Sequence, residues 1–188
     1  MRQIKGLSFV EVQPKNIREI VEIHNSNVRG QNVSPHSGFL LAKTTEVEIQ
    51  QNLNQGTNKY FVAVNLSGEV LGFLALAKPK ISNDFLNQII WQDDSCKDKI
   101  LSVRHIYIKV VAIKLDYQSR GIGQFMYESL YEKFPNSFIS AFIVSKPLCN
   151  ERSLKFHEKQ GFQQVGIWQQ KQFLDLYNYE SVLMFKEI

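Results

Sequence analysis

Gln118-Ser119-Arg120-Gly121-Ile122-Gly123 decides the reading of this chain, because it lies between a run that reads as a strand and one that reads as a helix. Upstream, residues 106–113 are rich in β-branched side chains, and downstream Ile122, Phe125, Met126 and Leu130 recur at helical spacing up to Lys133. At such a junction the first N–H groups of the helix have no acceptor within it, and the helix dipole adds positive potential. Gly121 and Gly123 permit backbone conformations and close approaches that a side chain blocks, and Arg120 adds a cation. The turn can hold an anion such as a phosphate, or it can be a plain glycine entry into a helix. Two other phosphate-binding motifs are excluded. The dinucleotide fingerprint needs a small residue where Met126 stands, and the Gly-Lys-Ser/Thr of a P-loop is absent.

Working outward, residues 7–12 alternate as a first strand. Pro14 then opens a helix with Ile17, Ile20, Val21, His24 and Val28 on one face. Thr45 and Glu48 form a capping box that predicts a second helix over 45–54. Residues 60–64 and 70–77 read as strands joined by Asn65-Leu66-Ser67-Gly68-Glu69, an antiparallel hairpin. Residues 78–99 form a long excursion anchored by Phe85 and Trp91, the kind of segment that often covers a site. Strands follow at 138–144, 162–167 and 181–185, with a helix at 150–160. The class is α/β: a mixed central sheet of about seven strands with helices on both faces.

The chain has 188 residues, 44% of them hydrophobic, with thirteen Phe and seven Tyr; this suits a single folded domain over 1–188. No apolar run reaches the roughly 20 residues that span a bilayer, so the expectation is a cytoplasmic protein without signal peptide or membrane partner. Cys96 and Cys149 fit no metal-binding spacing; both are expected as free thiols, and no metal is expected. The net charge of +4 is spread along the chain without a basic, aromatic-interleaved run, which argues against nucleic acid.

The turn matches Gln/Arg-x-x-Gly-x-Gly/Ala in full, and a second block, Asn150 to Phe162 (NERSLKFHEKQGF), begins with Asn and ends in Glu-Lys-x-Gly-Phe. Together they resemble the GNAT acetyltransferase superfamily. The Gly38-Phe39-Leu40 patch, Gly72-Phe73 and the Trp91 excursion are similar to an uncharacterised bacterial branch, and residues 153–162 resemble phosphinothricin-type acetyltransferases.

The resemblance implies a GNAT fold with a splayed pair of parallel strands and acetyl-CoA as cosubstrate. It implies an acetyl group passed directly to a primary amine, on a small molecule ahead of a protein. The cofactor would meet Val111, Ala112 and Ile113 through backbone, the turn from Gln118 through Ser119, Arg120, Gly121, Ile122 and Gly123 to Gln124, and Asn150 with Ser153. Asn150 also reads as a helix N-cap. His157 stands where many relatives carry a Tyr that protonates the departing thiolate; it is either that acid or a packed helix histidine. Residues 138–145 contain no carboxylate to serve as base, leaving His105, His36 or water. That gap keeps a rival reading alive, a non-catalytic acyl-CoA-binding module. A homodimer is left open.

Overall fold

The computed structural model describes residues 6–30, 38–56, 58–78 and 81–188. In chain order the elements are β1 (Ser8–Glu11), α1 (Ile17–Ser26), α2 (Glu46–Asn54), β2 (Asn58–Val64), β3 (Val70–Ala77), α3 (Asn83–Leu86), β4 (Ile89–Trp91) and α4 (Lys97–Leu101). Then come β5 (His105–Ile113), α5 (Ile122–Lys133), β6 (Phe138–Lys146), α6 (Glu151–Lys159), β7 (Gln163–Phe173) and β8 (Leu176–Glu187). The described residues fall into two compact units. One is built from the chain up to Ala77 and from Lys109–Phe134; the other takes Gly38, the chain between Ala77 and Lys109, and Pro135–Ile188. The strand β5 runs through both.

In the first unit the strand order is β1-β2-β3-β5. Ile17, Ile20 and Ile23 share one face of α1 and, with Ile49 of α2, bury against Tyr60, Val62, Phe73, Ala75 and Ala112. The expected capping box closes α2: Glu48 N–H donates to Thr45 Oγ1 at 3.2 Å and Thr45 N–H to Glu48 Oε2 at 2.9 Å. In the β2–β3 loop the Asn65 carboxamide oxygen accepts from the N–H groups of Ser67 and Glu69, so side chain as well as glycine shapes the turn. A Cβ at Gly72 would lie 3.0 Å from the carbonyl oxygen of Ala112. A side chain here would push β3 and β5 apart by a few tenths of an ångström, which glycine avoids.

In the second unit the order is β5-β6-β8-β7-β4. Parallel pairing sets His105–Tyr107 against Phe138–Ser140 and goes no further, whereas β6 pairs with β8 as far as Lys146. The excursion is folded rather than loose: Leu86, Ile89, Cys96 and Ile100 pack with Phe138, Val165, Leu183 and Phe185. It contributes β4, an eighth strand where about seven were expected, paired antiparallel with β7. The last two strands are longer than their apolar runs and meet in a tight hairpin turned at Leu174, whose φ is +54°. The polar stretch Gln169–Gln172 lacks an apolar pattern, so its strand character is supplied by pairing with β8.

Candidate active site

In the first unit, β5 ends at Ile113 and one turn of tighter helix, Leu115–Tyr117, leads into the glycine turn. Ser119 and Gly121 both take left-handed backbone, φ +60° and +87°, with Arg120 between them. For Gly121 the requirement is conformational, since an added Cβ would meet nothing within 4 Å. Gly121 is also the N-cap of α5 with no side-chain cap, and the first intrahelical bond runs from Phe125 N–H to its carbonyl at 2.9 Å. The N–H groups of Ile122, Gly123 and Gln124 thus have no acceptor within the helix. Turn, dipole and cation are assembled as an anion seat requires. The Arg120 guanidinium lies over the Tyr117 ring at 5.1 Å, and Lys114 is ion-paired with Glu69, which holds the Lys114 amine above and the Glu69 carboxyl below their usual ranges, chiefly through their mutual hydrogen bond.

Of the β5 residues nominated for backbone contacts, Ala112 is buried while Val111 and Ile113 are half-buried. The carbonyl of Ile113 accepts from Asn27 Nδ2 at 3.0 Å. The sequence pattern, which ran the apolar face of this helix on to Val28, did not single out Asn27; the helix ends at Ser26. Its carboxamide oxygen accepts from Gln118 Nε2 at 3.0 Å. His24 is half-buried, its Nε2 2.9 Å from the carbonyl of Ala42. Burial lowers its pKa.

In the second unit, Asn150 caps α6: its Oδ1 accepts from Ser153 N–H at 3.3 Å, as the capping reading expects. His157, one turn beyond Ser153, is 1% exposed. Its Nδ1 lies 2.8 Å from the Ser153 carbonyl, and its ring meets Phe162 edge-on at 5.1 Å. Because a carbonyl only accepts, Nδ1 carries the proton. Burial pushes the pKa down to about 4, against the opposing pull of that bond. A neutral imidazole holding its one proton on Nδ1 has none on Nε2 to give a thiolate. This geometry favours the packed histidine over the acid.

Of the base candidates, His105 is buried at the start of β5, its Nε2 2.7 Å from Ser140 Oγ. Burial drops its pKa to about 4. His36 lies outside the described residues. Tyr107 packs against Phe142 at 6.2 Å, and burial raises its phenol to about 12. Although residues 138–145 lack a carboxylate, β8 brings one to the end of β6. Glu180 accepts from Ser145 Oγ (2.9 Å), Lys146 Nζ (3.0 Å) and Gln169 Nε2 (2.9 Å). These donors, Gln169 foremost, hold its pKa low, and through them Glu180 ties three strands together. Among the described residues no cluster of three His, Cys, Asp or Glu side chains is arranged to hold a metal, and no helix is long and apolar enough to cross a membrane.

The acetyltransferase (GNAT) family matches residues 23–162, a span that includes both the glycine turn and the Asn-initiated helix. The chain belongs to this family and is an N-acetyltransferase. Similar solved structures include smu.2055 from Streptococcus mutans UA159 (12% identity, TM-score 0.67, covering 96% of this chain and 98% of that one). A structure with the provisional name phosphinothricin N-acetyltransferase is 18% identical, with TM-score 0.66 and coverage of 97% and 98%. The ribosomal-protein-S18-alanine N-acetyltransferase from Escherichia coli is 11% identical, with TM-score 0.64 and coverage of 97% and 94%. At these identities the likeness establishes the fold. A comparison with curated proteins gave no match.

Proposed function

We propose that this chain is a cytoplasmic enzyme of one GNAT domain that binds acetyl-CoA and transfers its acetyl group directly to a primary amine, on a small molecule in preference to a protein. The observation that carries the reading is the turn before α5, where two left-handed residues flank Arg120 beneath a helix N-terminus. The single-domain reading is supported by the family match, whose residues 23–162 span parts of both units. A cytoplasmic setting fits the two thiols, Cys96 and Cys149.

In this proposal the N–H groups from Ser119 to Gln124 and the Arg120 guanidinium neutralise the pyrophosphate. The Val111–Ile113 backbone pairs with the pantetheine arm as a strand would, one N–H polarising the thioester carbonyl. Asn150 adds its amide donor to the arm while its Oδ1 keeps the helix cap. Attack by the neutral amine forms the C–N bond, and collapse breaks the C–S bond. The amine's proton leaves to water, and water returns one to the thiolate, since Nε2 of His157 carries none. Holding both reactants together supplies much of the rate.

The test is release of free CoA thiol over a panel of small amines and peptide N-termini, alongside calorimetric titration with CoA. Amine-dependent release supports the proposal. CoA binding without release over the whole panel leaves the acyl-CoA-binding module, and no CoA binding rejects both.

A further inference from the structure

Asn27 is 5% exposed and ends α1, where a residue of its type needs to do no more than close the helix. Its side chain does more. Nδ2 donates to the carbonyl of Ile23 at 2.8 Å and to that of Ile113 at 3.0 Å, while Oδ1 accepts from Gln118 Nε2 at 3.0 Å. Two carbonyls on one side fix which end of the amide is nitrogen, so the orientation follows from the partners. The main chain of Asn27 is pinned as well: its N–H donates to the carbonyl of His24 at 3.0 Å and its carbonyl accepts from Leu40 N–H at 2.9 Å. One buried amide therefore grips both ends of the connection between β5 and α5, at Ile113 where the strand stops and at Gln118 where the turn begins.

That connection has a reason to need gripping. Ser119 follows Gln118 directly and takes φ +60°, a conformation that costs a non-glycine residue free energy and persists only where neighbours enforce it. The Gln118 amide is turned toward Asn27 and so is spent on fixing the turn. We infer that Asn27 is a positioning residue for pyrophosphate recognition, acting through Gln118 to hold Ser119–Gly121 in the anion-binding shape. This rests on the reading that the turn binds CoA.

The experiment compares two probes, CoA and pantetheine, the second lacking the pyrophosphate, by NMR titration of the wild type, Asn27→Ala, Gln118→Met and the double variant. Loss of the bridging hydrogen bonds should weaken CoA binding about tenfold in either single variant, and the double variant should be no worse than Asn27→Ala. Pantetheine affinity should not change in Gln118→Met, and in Asn27→Ala, which also frees the Ile113 carbonyl, it should fall less than CoA affinity. Gln118 is half-exposed, so Gln118→Met carries the test if Asn27→Ala fails to fold. Equal losses for both probes would reduce Asn27 to a structural role and overturn the inference, as would unchanged CoA affinity. A wild type that binds no CoA fails before any substitution is made, and rejects the site reading itself.

Discussion

The buried His157 gives a pH-dependent signature of its role. Its folded pKa of about 4 lies below the ordinary value of 6.5, so as pH falls through 6.5 the unfolded chain takes up a proton that the native one refuses. Stability contributed by the neutral ring is present above pH 6.5 and is lost progressively down to about pH 4, where both states are protonated. Integrating those two pKa values, the loss between pH 7 and pH 5 is about 2 kcal/mol. His157→Phe keeps the edge-on contact with Phe162 and removes the titration. At pH 7 it should cost about 1 kcal/mol for the lost bond to the Ser153 carbonyl. By pH 5 the variant should be the more stable of the two by about 1 kcal/mol, the difference having moved by about 2. His105 is unchanged in both and cancels. Urea unfolding of both proteins at pH 7, 6 and 5 makes the measurement, with single-turnover acetyl transfer alongside, expected to be within about threefold of wild type. Parallel pH dependences in the two proteins, or a His157 imidazole seen by NMR to titrate near 6.5, would refute the reasoning. A hundredfold fall in single-turnover rate would restore the acid role.

Three further outcomes are expected. Gly121→Val should destabilise the fold because its φ is +87°, whereas Gly121→Asn, which tolerates that conformation, should cost about 1 kcal/mol or less yet still weaken CoA binding about tenfold by filling the space in front of the turn. Calorimetry showing wild-type affinity in the Asn variant would remove the turn as the phosphate seat. Asn150→Asp keeps the acceptor for Ser153 N–H, so the melting temperature should hold while CoA affinity falls; the opposite pattern marks a cap only. Gly72→Ala puts a methyl 3.0 Å from the Ala112 carbonyl and 3.3 Å from Met126 Cε, and urea unfolding should show about 1–3 kcal/mol of destabilisation; no change would mean that β3 and β5 can part without cost.

What was legible in the sequence was local. The capping box at Thr45, the hairpin around Gly68 and the strand-to-helix turn at Gly121 each depend on residues within a few positions of one another, and each formed where expected. The eighth strand was hidden because Ile89–Trp91 is too short to show alternation and is flanked by Gln88 and Gln92, with Asn87 and Asp93 beyond them. The β7–β8 hairpin turns at Leu174 without the Asn-Gly or Asp-Gly that usually announces such a turn. Asn27 could not be read because its partner Ile113 is 86 positions away. The choice between acid and packed histidine at position 157 stayed open in the sequence because it turns on burial, to which the edge-on contact with Phe162 contributes.

The three-residue β4 also governs how the molecule meets its neighbours. A sheet ends in a row of backbone donors and acceptors that another chain can extend, and short or charged margins discourage this. Here β4 covers β7 opposite Gly166–Trp168, next to the buried Val165, and after Gln92 the chain continues into Asp93 and Asp94. Beyond that cover the margin of β7 reads Gln-Gln-Lys-Gln, polar and carrying Lys171. Shortening the excursion to trim an apparent loop would therefore strip the guard from the apolar part of this margin, and the expected penalty is self-association through added strands.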